Sequence, residues 1–86
     1  MIVAANRVFE HEGKAYHIQV EDLGTEQAAM EARVYDGGTV LWRRRVPYEE
    51  ILSRGLDKLA QDDELRALME KTLHTVQAAI AKGKLG

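Results

Sequence analysis

The chain of 86 residues predicts a single α+β domain. Its expected form is a four-stranded antiparallel meander of two hairpins, one face covered by a C-terminal helical half, in the order ββββα or ββββαα. Three observations carry this. Short segments with alternating apolar residues flank two glycine turns, Glu12-Gly13 and Asp36-Gly37-Gly38. The only proline, Pro47, divides this half from the rest. Beyond it Leu65, Leu68, Met69, Leu73, Val76 and Ile80 recur at helical spacing. The single domain spans 1–86, with the sheet in 1–46 and the helical half in 47–83.

The first strand covers residues 8–11, and Ile2 to Ala5 can extend it. The second covers 14–21, where Tyr16, Ile18 and Val20 alternate. Gly13 supplies the positive φ of a tight turn. Pairing across it sets Phe9 opposite Tyr16 on the core face and Val8 opposite His17 on the other. Residues 22–25 connect to a second hairpin, with strands near 28–35 and 39–46. A two-residue loop there opposes Val34 to Leu41. A three-residue loop opposes Val34 to Val40 and Ala32 to Trp42, which gathers Met30, Ala32, Val34, Val40 and Trp42 on one apolar face. The three-residue loop with a glycine bulge is therefore expected. It places Arg43 opposite Glu31, Arg33 opposite Leu41, and Leu41 on the open face.

Pro47 cannot donate to a ladder and suits a helix start. A helix over 48–60 is expected, with Ile51, Leu52, Leu56 and Leu59 inward. Asp62-Asp63 is the expected cap of a second segment running to Lys82, with Gly83 as its C-terminal stop. The two apolar stripes are about 90° out of phase at 100° per residue, which predicts a break near 61–63. The core is expected to join Phe9, Tyr16, Ile18, Val34, Val40, Trp42, Met69, Leu73 and Val76.

Composition limits function. Hydrophobic residues are 45% and charged residues 30%, as in ordinary globular domains. No apolar run approaches the ~20 residues of a membrane helix. The opening five residues are too short for a signal-peptide core and lack a basic leader. Without cysteine there are no disulfides and no thiolate metal sites. Net charge is −2, and each half carries six basic and seven acidic residues. Duplex nucleic-acid binding by bulk charge is disfavoured. So small a chain without cross-links is marginal alone, and a homodimer is expected.

The segment Gly13-Lys14-Ala15-Tyr16-His17-Ile18-Gln19-Val20-Glu21-Asp22-Leu23-Gly24 resembles one found in small bacterial proteins of uncharacterised function. Glu31, Gly37-Gly38 and Tyr48-Glu49-Glu50-Ile51-Leu52 fit the same resemblance. It covers most of the chain, mainly through turn glycines and core positions. It implies a bacterial, cytoplasmic domain and brings no catalytic residues. The order of elements alone is similar to PC4-like and PUR-type single-stranded nucleic-acid binders.

Chemistry-bearing constellations are sparse. His11, His17 and His74 do not converge, and no H-x-E or H-E-x-x-H spacing accompanies them. Ser53, the only serine, has no histidine at nearby spacing. The glycine pair lacks phosphate-loop spacing. No catalytic residue, cofactor or metal site is assigned. The sharpest feature is Arg43-Arg44-Arg45. Arg33, Arg43, Arg45, Tyr35 and His17 share the open sheet face, a composition suited to single-strand stacking or to a protein partner. The ordinary alternative is a solvated face with cross-strand ion pairs. Surplus apolar residues among Leu56, Leu59, Leu65 and Leu68 are candidates for a subunit contact, or a bend aims both stripes at one core. The leading expectation is a non-enzymatic bacterial interaction module that self-associates, with no membrane partner. A single-stranded nucleic-acid binder of weak affinity comes second, and a small hydrolase or metal enzyme a distant third.

Overall fold

Left-handed backbone at two tight turns folds the first half of the chain into one sheet. In a computed structural model, which describes residues 4–85, the strands are β1 (Ala4–His11), β2 (Lys14–Asp22), β3 (Ala29–Asp36) and β4 (Thr39–Pro47). They pair antiparallel in the order β1-β2-β3-β4. Glu12 and Gly13 both have positive φ, as do Gly37 and Gly38. That is the signature of two-residue hairpin turns whose twist matches the strands. The first hairpin has the expected register, Phe9 opposite Tyr16 and Val8 opposite His17. Ala4 and Ala5 extend β1, while Ile2 and Val3 lie outside the described residues.

The second hairpin departs from the expected register. Its turn has two residues, with Asp36 opposite Thr39 and Tyr35 opposite Val40. A bulge follows, and pairing resumes with Val34 opposite Trp42, Ala32 opposite Arg44 and Met30 opposite Val46. Leu41 is the extra residue. A tight turn alone would send Trp42 and Val46 away from the core. One inserted residue reverses that phase and turns both inward. Leu41 consequently lines a hollow with Tyr16, Ile80 and Leu85 on the helix side instead of joining the open face. Val40 is 39% exposed and does not join the core.

The helical half is also rearranged. Helix α1 is one turn, Glu49–Leu52, and α2 runs from Lys58 to Ala81. The break therefore lies at 53–57 and not at 61–63. Gly55 has φ +66°, which interrupts helical geometry. The cap is Asp57, whose Oδ1 accepts from the Ala60 amide at 2.9 Å. Asp62 and Asp63 sit inside α2 and cap nothing. At the other end Gly83 has positive φ as expected, its amide donates to Ile80 O, and Lys84 donates to Ala79 O.

The core lies between the sheet and α2. Ile18, Val20, Met30, Ala32 and Val34 are fully buried against Leu65, Met69, Leu73, Val76 and Ile80. Phe9, Tyr16 and Trp42 are half-buried around them. Leu56 and Leu68 are half-buried, whereas Leu59 projects to solvent. Tyr48 fastens the start of the helical half to the sheet. Its amide donates to Ala28 O at 2.7 Å and its hydroxyl to Asp22 Oδ1 at 2.6 Å. Asp22 also accepts from the Gly24 amide, bending the β2–β3 connection.

Candidate functional site

Helix α2 covers one face of the sheet and leaves the other open. Strand alternation and the observed registers put Asn6, Val8 and Glu10 of β1 on the open face. Ala15, His17, Gln19 and Glu21 of β2 join them, with Glu31, Arg33 and Tyr35 of β3 and Arg43 and Arg45 of β4. All five candidate residues, His17, Arg33, Tyr35, Arg43 and Arg45, therefore share it. Their surroundings differ.

Arg33 lies at the centre and is occupied. Its Nη1 donates to Glu31 Oε1 at 2.6 Å. Its Nη2 donates to Gln19 Oε1 at 2.8 Å and Glu21 Oε1 at 2.9 Å. Glu21 and Glu31 stand directly opposite each other on β2 and β3, so the guanidinium separates two like charges. The hydrogen bond to Glu21, with Glu31 reinforcing it against burial, holds the Arg33 pKa above the usual guanidinium value.

The bulge changes the pairing of the other arginines. Arg45, not Arg43, lies opposite Glu31, and Arg43 lies opposite Arg33. Arg45 donates to the side chain and backbone carbonyls of Gln27, each at 3.3 Å. Among the described residues Arg43 makes no ion pair. Arg44 turns to the helix side, where its guanidinium lies 5.4 Å from the Trp42 ring centre.

At the hairpin end the face is apolar. Val8, Ala15, His17 and Tyr35 line a shallow hollow of about 520 Å³ floored by Gly37 and Gly38. Val8 is 68% exposed. The His17 and Tyr35 rings lie 5.7 Å apart and tilted, and His17 Nε2 is 3.0 Å from Asn6 Oδ1. Across the whole face Glu10, Glu21 and Glu31 balance Arg33, Arg43 and Arg45, so its formal charge is zero.

Among the described residues the remaining histidines and the only serine stand apart from one another. His11 stacks on Phe9 on the helix side, and His74 lies 3.2 Å from Glu70 on α2. Glu70 also binds Arg7, whose hydrogen bond holds its carboxyl below the usual range. Ser53 Oγ donates to the Glu50 carbonyl at 2.6 Å. Among the described residues no three His, Asp or Glu side chains cluster as metal ligands. No helix there is long and apolar enough to cross a membrane.

A second hollow, of about 290 Å³, escaped sequence reasoning. It opens between the β2–β3 connection and the start of α2, floored by Met30, Leu65 and Met69 and rimmed by Asp22, Lys58 and Arg66. No local pattern in the sequence brings the β2–β3 connection against the start of α2. No family model, curated protein or solved structure matches the chain.

Proposed function

We propose that this chain is a non-catalytic interaction module of the bacterial cytoplasm, and that it self-associates through the open face of its sheet. The observation that carries the reading is the apolar hollow at the hairpin end, where Val8 is 68% exposed beside Ala15 and Tyr35. Removing apolar surface from water contributes roughly 25 cal/mol per Å². A twofold contact buries the same patch on both copies, so each exposed residue counts twice. The neutral charge of the face removes the repulsion that a second copy would otherwise meet.

Sedimentation equilibrium tests this. The expected result is a reversible dimer at micromolar concentration. Val8→Glu should shift it to monomer, while Leu59→Glu, on the helical side, should leave it dimeric. A wild-type mass that stays monomeric at all concentrations would refute the reading.

A single-stranded nucleic acid is the second reading, favoured by the pairing of His17 and Tyr35 near Arg43. Against strong binding stand the commitment of Arg33 to two carboxylates and the absence of net positive charge. Affinity for a short oligonucleotide should fall with salt at a slope near −0.7 per phosphate contacted. Submicromolar binding in about 150 mM salt, weakened by Arg43→Ala and Tyr35→Ala, would reverse the order of the two readings.

A further inference from the structure

We infer that the free edge of β4 accepts an extended acidic peptide as a fifth strand of the sheet. This rests on the reading of the chain as an interaction module, but not on self-association. Among the described residues no strand lies outside β4 in the sheet order. Such an edge presents N–H and C=O groups that have no ladder partner. Beyond the bulge at Leu41, β4 pairs with β3 in one unbroken register from Trp42 to Pro47. That stretch is regular enough to template another strand, whereas the bulged end is not.

Arg43, Arg44 and Arg45 fill the middle of the regular stretch, and all three are exposed. Arg43 has Arg33 as its β3 neighbour and no carboxylate bound to it among the described residues. Arg44 lies on Trp42, and Arg45 donates to the uncharged Gln27. Three successive cations on an open edge define their complement. Pleating sends Arg43 and Arg45 to one face and Arg44 to the other. A strand with carboxylates at alternate positions sets one opposite Arg43 and one opposite Arg45. Opposite charges placed this way stabilise a strand pair, and the guanidinium fork receives a carboxylate through two hydrogen bonds.

The same charges exclude a second copy at this edge. Antiparallel pairing of β4 with itself about Arg44 would set Arg44 against its counterpart and Arg43 against Arg45 twice. Six guanidiniums would then share two adjacent strands, and like charges directly opposite destabilise. The other edge, β1, carries no comparable code. Its Arg7 is bound to Glu70, and of Asn6, Val8 and Glu10 only Glu10 is charged. A nucleic acid could answer the charge but offers no peptide ladder.

Fluorescence anisotropy of the full chain with labelled peptides of about nine residues, the length of a long strand, tests the inference. The probes are a peptide alternating glutamate and valine, the same peptide N-methylated at every residue, a lysine–valine counterpart, and oligothymidine of matching charge. The acidic peptide should bind with micromolar affinity and slow amide exchange in β4. N-methylation should abolish binding, because it removes ladder donors, and the lysine peptide should not bind. Arg43→Glu/Arg45→Glu should weaken binding at least about tenfold, with melting showing that the variant still folds. Equal binding of the methylated peptide, or oligothymidine bound as tightly as the acidic peptide, would reduce the effect to attraction of any polyanion and overturn the inference. No binding of the acidic peptide would also overturn it. If the chain still dimerises in that case, only strand addition fails. If the peptide binds at β4 while the chain stays monomeric, only self-association fails.

Discussion

Replacing Arg33 by methionine leaves Glu21 and Glu31 facing each other across β2 and β3 with no cation between them. Methionine keeps most of the buried stem and removes the guanidinium. Hydrogen bonds to charged groups contribute about 1.5 kcal/mol each at the low end of their range, and Arg33 makes one to each carboxylate. The carboxylate side chains are 37% and 24% exposed, so water recovers part of the loss and about 2 kcal/mol remains. The uncompensated carboxylate pair adds about 0.5 kcal/mol. Against this, the Arg33 Nε is buried without an acceptor, and its removal returns about 1 kcal/mol. The expected net destabilisation is about 1.5 kcal/mol, or a fall in Tm of about 6–12 °C for a domain of this size. Urea unfolding with an unchanged slope is the assay. The triple variant Arg33→Met/Glu21→Gln/Glu31→Gln should recover most of the loss, because it removes the stranded charges together with their partner. A loss below about 0.5 kcal/mol, or a triple variant no better than the single one, would refute the account of Arg33 as a clamp between strands.

Four further outcomes test the fold. Leu73→Ala should cost about 2–5 kcal/mol, because its side chain is 2% exposed between sheet and helix, and equilibrium unfolding measures it. Asp57→Ala should cost about 1 kcal/mol through loss of the α2 cap. Asp62→Ala, which breaks a 3.5 Å pair with the exposed Lys58, should cost less than about 0.5 kcal/mol in the same assay. Burial, reinforced by the Asp22 carboxylate, pushes the Tyr48 phenol above its usual range. The folded state therefore holds that proton more tightly than the unfolded chain. The resulting stability is fully present below about pH 10 and is lost as pH rises beyond it. Urea melts between about pH 9 and pH 11 should show a decline that Tyr48→Phe makes shallower.

Features governed by local pattern were legible in the sequence. The β1–β2 hairpin follows from period-two alternation around a turn that admits one register satisfying both faces. The buried side of α2 follows from the spacing of Leu65, Met69, Leu73, Val76 and Ile80, which no other periodicity accommodates. The break before α2 was harder to read. Gly55 stands alone in a pattern otherwise compatible with helix, and Asp57 competes with Asp62 and Asp63 as a cap. The capping aspartate is the one that leaves Lys58 to start the helix and still brings Leu65 to the sheet. Tyr48 illustrates a different limit. Its anchor, Asp22, lies 26 residues earlier, and no local pattern announces that hydrogen bond.

The bulge at Leu41 ties the fold to the proposed function. The second hairpin has a local preference, a two-residue turn over Gly37-Gly38, and a global one, burial of Trp42 and Val46. With an uninterrupted ladder these conflict, because the tight turn would send Arg43 and Arg45 toward α2 and Trp42 outward. An unpaired guanidinium facing an apolar core costs several kcal/mol, so that arrangement is excluded. A longer loop settles the conflict at the turn, and sequence reasoning chose it. The chain settles it one step later, by inserting Leu41 into the ladder. The choice has a chemical consequence. With the longer loop, Arg43 lies opposite Glu31. With the bulge, Arg45 takes that place and Arg43 comes to lie beside Arg33, whose own carboxylates are already committed. An unanswered positive charge therefore stands on the outermost strand, within the stretch of edge that remains regular enough to pair. One residue of register thus decides which arginine stands opposite Glu31, and the proposed docking of an acidic strand rests on that placement.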